Sequence, residues 1–303
     1  MSFKKIFMFT GLMFLVTSVM ADASEKTIEK RCPGLFFHGH PVHATASVNE
    51  NSYFICNKAY ATQYFTGTKT PLWVAERLLE EATSGSEPRT EDFQKDPEVS
   101  ARHSSSNGDF VALNKRLKAR HSGLEKSEKY VYDRGHMAPA GDFSNDSRAM
   151  SESFYLSNMV PQVSSHNRGI WKDLEVKTRN WAKGRNEVYV VTGPIFRSKA
   201  GYKEMRGIEE MNGLLVPTDI YKIIVDPKTA GSIAFIIPNI PFQSDGGRKE
   251  SKGYVYNGTI YQLKDFIVSI RDVEVLTGLN FHSNLNAKDS DVVEIRKSGM
   301  WTR

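Results

Sequence analysis

Asp133-Arg134-Gly135-His136-Met137-Ala138-Pro139 is the densest run of chemistry-bearing residues in the chain. Tyr130 to Met137 reads as a short strand, so His136 sits at a strand end, and the glycine before it lets the backbone be held close. Downstream come Ser157-Asn158-Met159, inside a second strand-like run from Phe154 to Met159, and then His166-Asn167-Arg168-Gly169-Ile170-Trp171-Lys172-Asp173-Leu174-Glu175. Asn167 to Lys183 reads as a helix. Ile170, Trp171, Leu174, Val176 and Trp181 supply its apolar positions, and Gly184 suits a C-terminal stop. Eight residues are about 2.2 helical turns and four about 1.1, so Glu175 and Arg179 share a face with Asn167 at the helix start.

Phosphodiester cleavage could use this set. Histidine has an ordinary pKa of about 6.5, so at neutral pH it is free to take a proton from water. Paired guanidinium donors stabilise the negative charge that builds on phosphate oxygens. A hard divalent cation needs oxygen ligands, and an asparagine amide supplies one without neutralising the ion. Spacing alone favours a plainer account, a strand-end histidine and a capped helix with ordinary i,i+4 pairing.

Outward from this centre, Phe110 to Arg120 has helical character, with Val111, Leu113 and Leu117 on one side and Lys115, Arg116, Lys118 and Arg120 elsewhere. Residues 80–107 are charged and Ser-rich, and read as a long surface segment. Tyr53 to Cys56, Leu72 to Ala75, Val188 to Thr192, Tyr221 to Val225 and Ser232 to Ile237 are strand-like. Ile260 to Leu276 is mixed and precedes a polar tail. Together these elements predict a mixed α+β domain around a central sheet. The expected divisions are a leader over 1–21, an N-terminal extension over 22–66, the main domain over 67–285 and a tail over 286–303.

Lys4 and Lys5, the apolar run Ile6 to Val16, and the small residues Val19 and Ala21 form a secretory signal too short to span a bilayer. An exported product, periplasmic or secreted, with no membrane association after cleavage is therefore expected. Removing 21 of 303 residues leaves 282, ample for a large core, with 38 basic against 35 acidic residues. That excess permits a polyanionic partner without announcing one. Cys32 and Cys56 are the only cysteines, and in an oxidising compartment an isolated pair is most simply a disulfide. A metal site using them with His38, His40 and His43 is the alternative, though the spacing matches no standard zinc pattern.

The run Asp133 to Pro139, followed by Asn158-Met159 and by Asn167 through Leu174-Glu175, resembles the DNA/RNA non-specific endonucleases. That family includes endonuclease G and belongs to the ββα-metal, or His-Me finger, nucleases. The resemblance extends from about Leu72 to Phe281. It implies a central antiparallel sheet carrying a ββα-metal motif, and hydrolysis of DNA and RNA to 5′-phosphate ends. It also implies roles: His136 as general base, Asn167 as the one direct protein ligand of a magnesium ion (manganese being the alternative), and Glu175 as a carboxylate holding that ion through water. Asn158 would support the site near the histidine and phosphate, and Arg179 would face the phosphate. Arg89, before Phe93 and Asp96-Pro97, is the expected second arginine, with Arg102 its competitor. Asp133 and Arg134 are expected to support the site through an ion pair or by positioning water. The partners implied are DNA and RNA gripped through the backbone, with an inhibitor protein or a second copy of the chain left open. The competing readings are a phosphodiesterase on small nucleotides and an inactive nucleic-acid-binding module. His136, Asn167 and Glu175 are all present, which weighs against the second. Gly-x-Ser-x-Gly, P-loop and His-Glu-x-x-His motifs are absent. Trp171 and Trp181 are expected to pack the helix, and His166 to be a loop residue rather than a second ligand.

Overall fold

The computed structural model describes residues 28–120, 131–197, 210–246 and 253–302. The expected leader over 1–21 lies outside these residues. Among the described residues no helix is long and apolar enough to cross a membrane.

Seven strands pair antiparallel into a central sheet. They are β1 (Ser52–Cys56), β2 (Tyr60–Phe65), β3 (Thr70–Leu79), β6 (Glu187–Ile195), β7 (Asp219–Val225), β8 (Ser232–Pro238) and β9 (Ile267–Val268). Their order across the sheet is β9-β8-β7-β6-β3-β2-β1. β3 and β6 are sheet neighbours, yet the chain between them holds the whole motif: helix α1 (Asn107–Arg120), the hairpin β4 (Tyr132–His136) and β5 (Met159–Val163), and helix α2 (Lys172–Arg185).

The strand period of two sends alternate residues to opposite layers. On β7, Ile220 and Ile224 join the layer containing α2, whereas Tyr221, Ile223 and Val225 join the other. In the first layer Leu174, Trp181 and Ala182 of α2 pack with Val74, Val190 and Phe235. Each fully buried large apolar side chain contributes about 1.5–3 kcal/mol. In the second layer Cys32, Phe36 and helix α3 (Ile270–Thr277) cover Trp73, Tyr221 and Ile223. A disulfide joins Cys32 to Cys56, with Cα atoms 5.5 Å apart, and takes both sulfurs out of any metal site.

Several elements differ from expectation. The boundary at residue 66 falls inside the sheet, because β1 and β2 extend it from β3, Tyr60 lying opposite Glu76. The polar tail packs on the domain: helix α4 (Ala287–Glu294) buries Glu294, and Trp181 Nε1 donates to the Trp301 carbonyl at 3.2 Å. Phe154 to Asn158 is no strand. Leu156–Asn158 forms a 3-10 turn, with the Asn158 side chain bonded to the Ala138 backbone, and extended pairing begins at Met159. The helix expected over 167–183 is interrupted at Gly169 (φ −107, ψ −109), so Asn167–Trp171 forms a wide turn before α2 starts. α2 runs through Gly184 and stops where Asn186 adopts a left-handed φ of 73. In α1 the buried face is Phe110, Leu113 and Leu117, whereas Val111 is exposed. Residues 80–107 are irregular but anchored, with Asp96 and Ser105 buried and the Ser157 hydroxyl donating to Asp96 at 2.5 Å.

Candidate active site

β4, β5 and the turn leading into α2 form one ββα unit, and its open side faces a cleft of about 820 Å³. His136 is the last residue of β4, opposite Met159. A Cβ on Gly135 would stand 2.0 Å from the Gln162 amide oxygen, so only glycine lets the two strands close beneath the histidine. Gln162 in turn donates to His166 Nδ1 at 2.8 Å. His166 is therefore a buried residue stacked near Trp171, not a loop residue, and it does not line the cleft.

Asn158 is fully buried and does not reach the cleft. Its Oδ1 accepts from the Ala138 N–H at 2.9 Å, and its Nδ2 donates to the carbonyls of Ala138 and Ser153. It latches the backbone just past His136 and so supports the site from behind.

Asn167, Glu175 and Arg179 all line the cleft with His136. Asp133 organises one wall. It accepts from Asn167 Nδ2 at 2.9 Å, from Ser164 Oγ at 2.9 Å, and from Arg168 Nε and Nη2 at 2.9 and 2.8 Å. Burial works against the Asp133 charge, but these bonds outweigh it and hold the carboxyl below its ordinary range. With Nδ2 committed to Asp133, the Asn167 amide oxygen has no donor among the described residues. Arg168, beside Asn167 in sequence and given no role by the motif, pairs with Asp133 and lines the same cleft.

Two phenylalanine rings carry the opposite wall. Phe93 and Phe154 meet edge to face at 4.9 Å, and both contact the His136 ring. The Arg134 guanidinium lies 4.1 Å from the Phe93 centroid and donates to Asn107 Oδ1 at 3.1 Å. Arg89 lies 5.0 Å from the Phe154 centroid and lines the cleft. Arg102 is exposed and is not among the cleft residues.

Charge follows this geometry. Burial, with Arg89 and Arg134 nearby, lowers the His136 pKa to about 3, so the imidazole is neutral at pH 7. Its Nε2 is enclosed without a partner among the described residues, which leaves Nδ1 as the nitrogen that a water can reach. Burial pushes Glu175 up to about 7, with Lys222 and Arg179 pulling the other way and Asp142 adding to the rise. Arg179 Nη1 donates to Asp142 Oδ1 at 2.6 Å. Five cations (Arg89, Arg134, Arg168, Lys172 and Arg179) face three acids (Glu91, Asp133 and Glu175) around the cleft. This balance attracts a polyanion.

The donor set suits a hard cation. An amide oxygen fixed by its own nitrogen and a desolvated carboxylate are both oxygen ligands of the kind magnesium takes. Among the described residues no group of three or more His, Cys, Asp or Glu side chains could hold a metal, so softer multi-histidine chemistry has no counterpart there.

A ββα unit with histidine on its first strand and asparagine at its helix start, set against a large antiparallel sheet, defines a ββα-metal nuclease fold. The profile of the DNA/RNA non-specific endonucleases matches residues 42–288, and the chain belongs to that family. It is 31% identical to human mitochondrial endonuclease G over 239 residues, covering 76% of this chain and 70% of the relative. It is 31% identical to nuclease C1 of Cunninghamella echinulata var. echinulata, covering 77% and 84%. Mitochondrial nuclease EXOG of Danio rerio is 33% identical over 70% of this chain, and the chain spans 56% of that relative's length. A crystal structure of an EndoG/EndoGI complex superposes with a TM-score of 0.59 at 28% identity, covering 80% of this chain and 92% of that one.

Proposed function

We propose that this protein is an exported endonuclease that hydrolyses both DNA and RNA with a divalent cation, magnesium being the expected ion. The observation that carries this reading is the convergence of His136, Asn167, Glu175, Arg89 and Arg179 on one cleft. Family membership and the names of the nuclease relatives support it.

Asn167, through its amide oxygen, would hold the cation directly, and Glu175 would hold it through water. When bound, it supplies Lewis-acid stabilisation of charge on the phosphate and on the departing oxygen. Neutral His136 accepts a proton at Nδ1 from the water that attacks phosphorus. The P–O bond to the 3′ oxygen breaks in line, leaving a 5′-phosphate, and solvent protonates the 3′ oxygen. Arg89 and Arg179 stabilise the added negative charge through their N–H groups. Burial is the main cause of the low His136 pKa, and a phosphodiester in the cleft would offset the smaller part due to Arg89 and Arg134, making the imidazole a stronger base once substrate is bound. Contacts to phosphate carry no base information, which accounts for action on either polymer without sequence preference. An inhibitor protein belongs to this reading as a partner. The EndoG relative was crystallised with EndoGI, and a cationic cleft suits an acidic competitor of nucleic acid.

The test is cleavage of long double-stranded DNA and of RNA by the protein lacking residues 1–21, with magnesium and with chelator, beside Asn167→Ala. Magnesium-dependent cutting of both polymers, lost in the variant, is expected. Folded protein that cuts neither polymer under any divalent cation would overturn the proposal.

A further inference from the structure

Arg179 reaches the cleft from α2, but its direction is set by a residue outside the motif. Asp142 lies in the turn Ala140–Asp142, six residues past His136, and is buried. Its Oδ1 accepts from Arg179 Nη1 at 2.6 Å. A Cβ on Gly141 would stand 3.2 Å from that nitrogen and 3.4 Å from Cζ, so the guanidinium lies along the Gly141 backbone. One edge is thus engaged, while the side chain still lines the cleft.

The sheet below adds a second constraint. Glu76 on β3 and Lys222 on β7 are both buried, and both act electrostatically on Glu175 and on Arg179 or Asp142. Lys222 Nζ is held by Thr192 Oγ1 at 2.6 Å and lies 5.3 Å from the centre of the Trp171 ring. Glu76 Oε2 is enclosed with no partner among the described residues. Arg179 therefore has three carboxylates within its field, Asp142, Glu175 and Glu76, and it is bonded to Asp142 alone. Removing Asp142 would leave the guanidinium between Glu175 at the cleft and Glu76 beneath it, without the bond that fixes which edge faces the phosphate.

We infer that Asp142 is a positioning residue that aims Arg179 at the scissile phosphate, an inference that rests on the phosphate-facing role proposed above for Arg179. The proper edge of a guanidinium matters because a phosphate is recognised by paired, parallel N–H donors. Losing the aim costs turnover. Losing the Asp142 charge leaves the cleft more cationic, so substrate binding is kept or tightened.

The experiment is steady-state cleavage of DNA under saturating magnesium by Asp142→Ala, by the near-isosteric Asp142→Asn, by Arg179→Ala and by the two double variants. Thermal melting serves as the folding check. Either Asp142 substitution is expected to lower kcat at least about tenfold with KM unchanged or reduced. In the Arg179→Ala background the same change should alter kcat by less than about twofold, because the residue acts through Arg179. Losses that multiply in the double variant, or full kcat in a folded Asp142→Asn protein, would overturn the inference. If Asp142→Ala fails to fold, the Asn variant decides the matter. Wild-type kcat in Arg179→Ala alone would instead remove the phosphate-facing role and the inference with it, so the two failures are distinguishable.

Discussion

Replacing Asp133 by alanine removes the acceptor that fixes the Asn167 amide while leaving the proposed cation ligand itself in place. In the wild type the carboxylate accepts from Asn167 Nδ2 at 2.9 Å, so the amide oxygen is kept on the other side. A flipped amide would set oxygen against carboxylate. A hydrogen bond to a charged group contributes about 1.5–3 kcal/mol, and that preference vanishes when the carboxylate is lost. Free rotation of the amide by itself halves the competent population, about a twofold loss; the Asp133 charge near the cation is lost with it, and outer partners of metal ligands contribute roughly 10- to 100-fold in affinity. Arg168, now without its acceptor, is largely exposed and can be resolvated, so its contribution to the stability loss is small. The assay is plasmid cleavage against magnesium concentration. The half-saturating magnesium should rise about 10- to 100-fold, with much of the activity recovered at high magnesium. Asp133→Asn should give a similar rise, because its amide can rotate. An unchanged magnesium requirement in a folded Asp133→Ala protein would refute the argument that Asp133 orients Asn167.

His136→Ala should lower turnover at least about 10²-fold with an unaltered circular dichroism spectrum, and near-wild-type cleavage by the purified variant would remove the general-base role. Acid stability should depend on His166, which burial brings to about 3. Between pH 3 and 6.5 the unfolded chain binds a proton that the folded chain refuses, so stability falls as pH drops through that window, by up to about 1.4 kcal/mol per pH unit. In denaturant titrations, wild type should therefore lose roughly 2 kcal/mol relative to His166→Gln between pH 7 and pH 5, and parallel losses would contradict the buried neutral histidine. Reducing the Cys32–Cys56 disulfide should lower the melting temperature without abolishing cleavage, because the bond lies on the face of the sheet opposite α2. Unchanged melting after verified reduction would show that it contributes no stability.

What could be read from the sequence was local. The apolar runs Val188 to Thr192, Tyr221 to Val225 and Ser232 to Ile237 specify strands, because side-chain alternation and β-branching act within a few residues. The Asp133–Pro139 motif and the Asn167, Glu175, Arg179 spacing are likewise compact enough to recognise, and all lie at the cleft or immediately behind it. The interruption at Gly169 was less legible, since an isolated glycine in a helical pattern is compatible with continuation. Lys222 stands out in the largely apolar run Tyr221 to Val225, but nothing nearby in sequence says what a buried ammonium faces.

Only the tertiary structure answers that. Glu76, Lys222 and Asp142 come from three distant segments, and their juxtaposition follows from the antiparallel register that sets Lys222 opposite Thr192 and Val74 opposite Thr192 on its other side. That Arg89 lines the cleft and Arg102 does not likewise depends on where an irregular segment anchors Phe93 against Phe154. Sequence patterns determine which backbone each segment can adopt, because propensity and periodicity are local. The electrostatic environment of a catalytic group is a sum over neighbours in space, and those neighbours exist only once the sheet has closed.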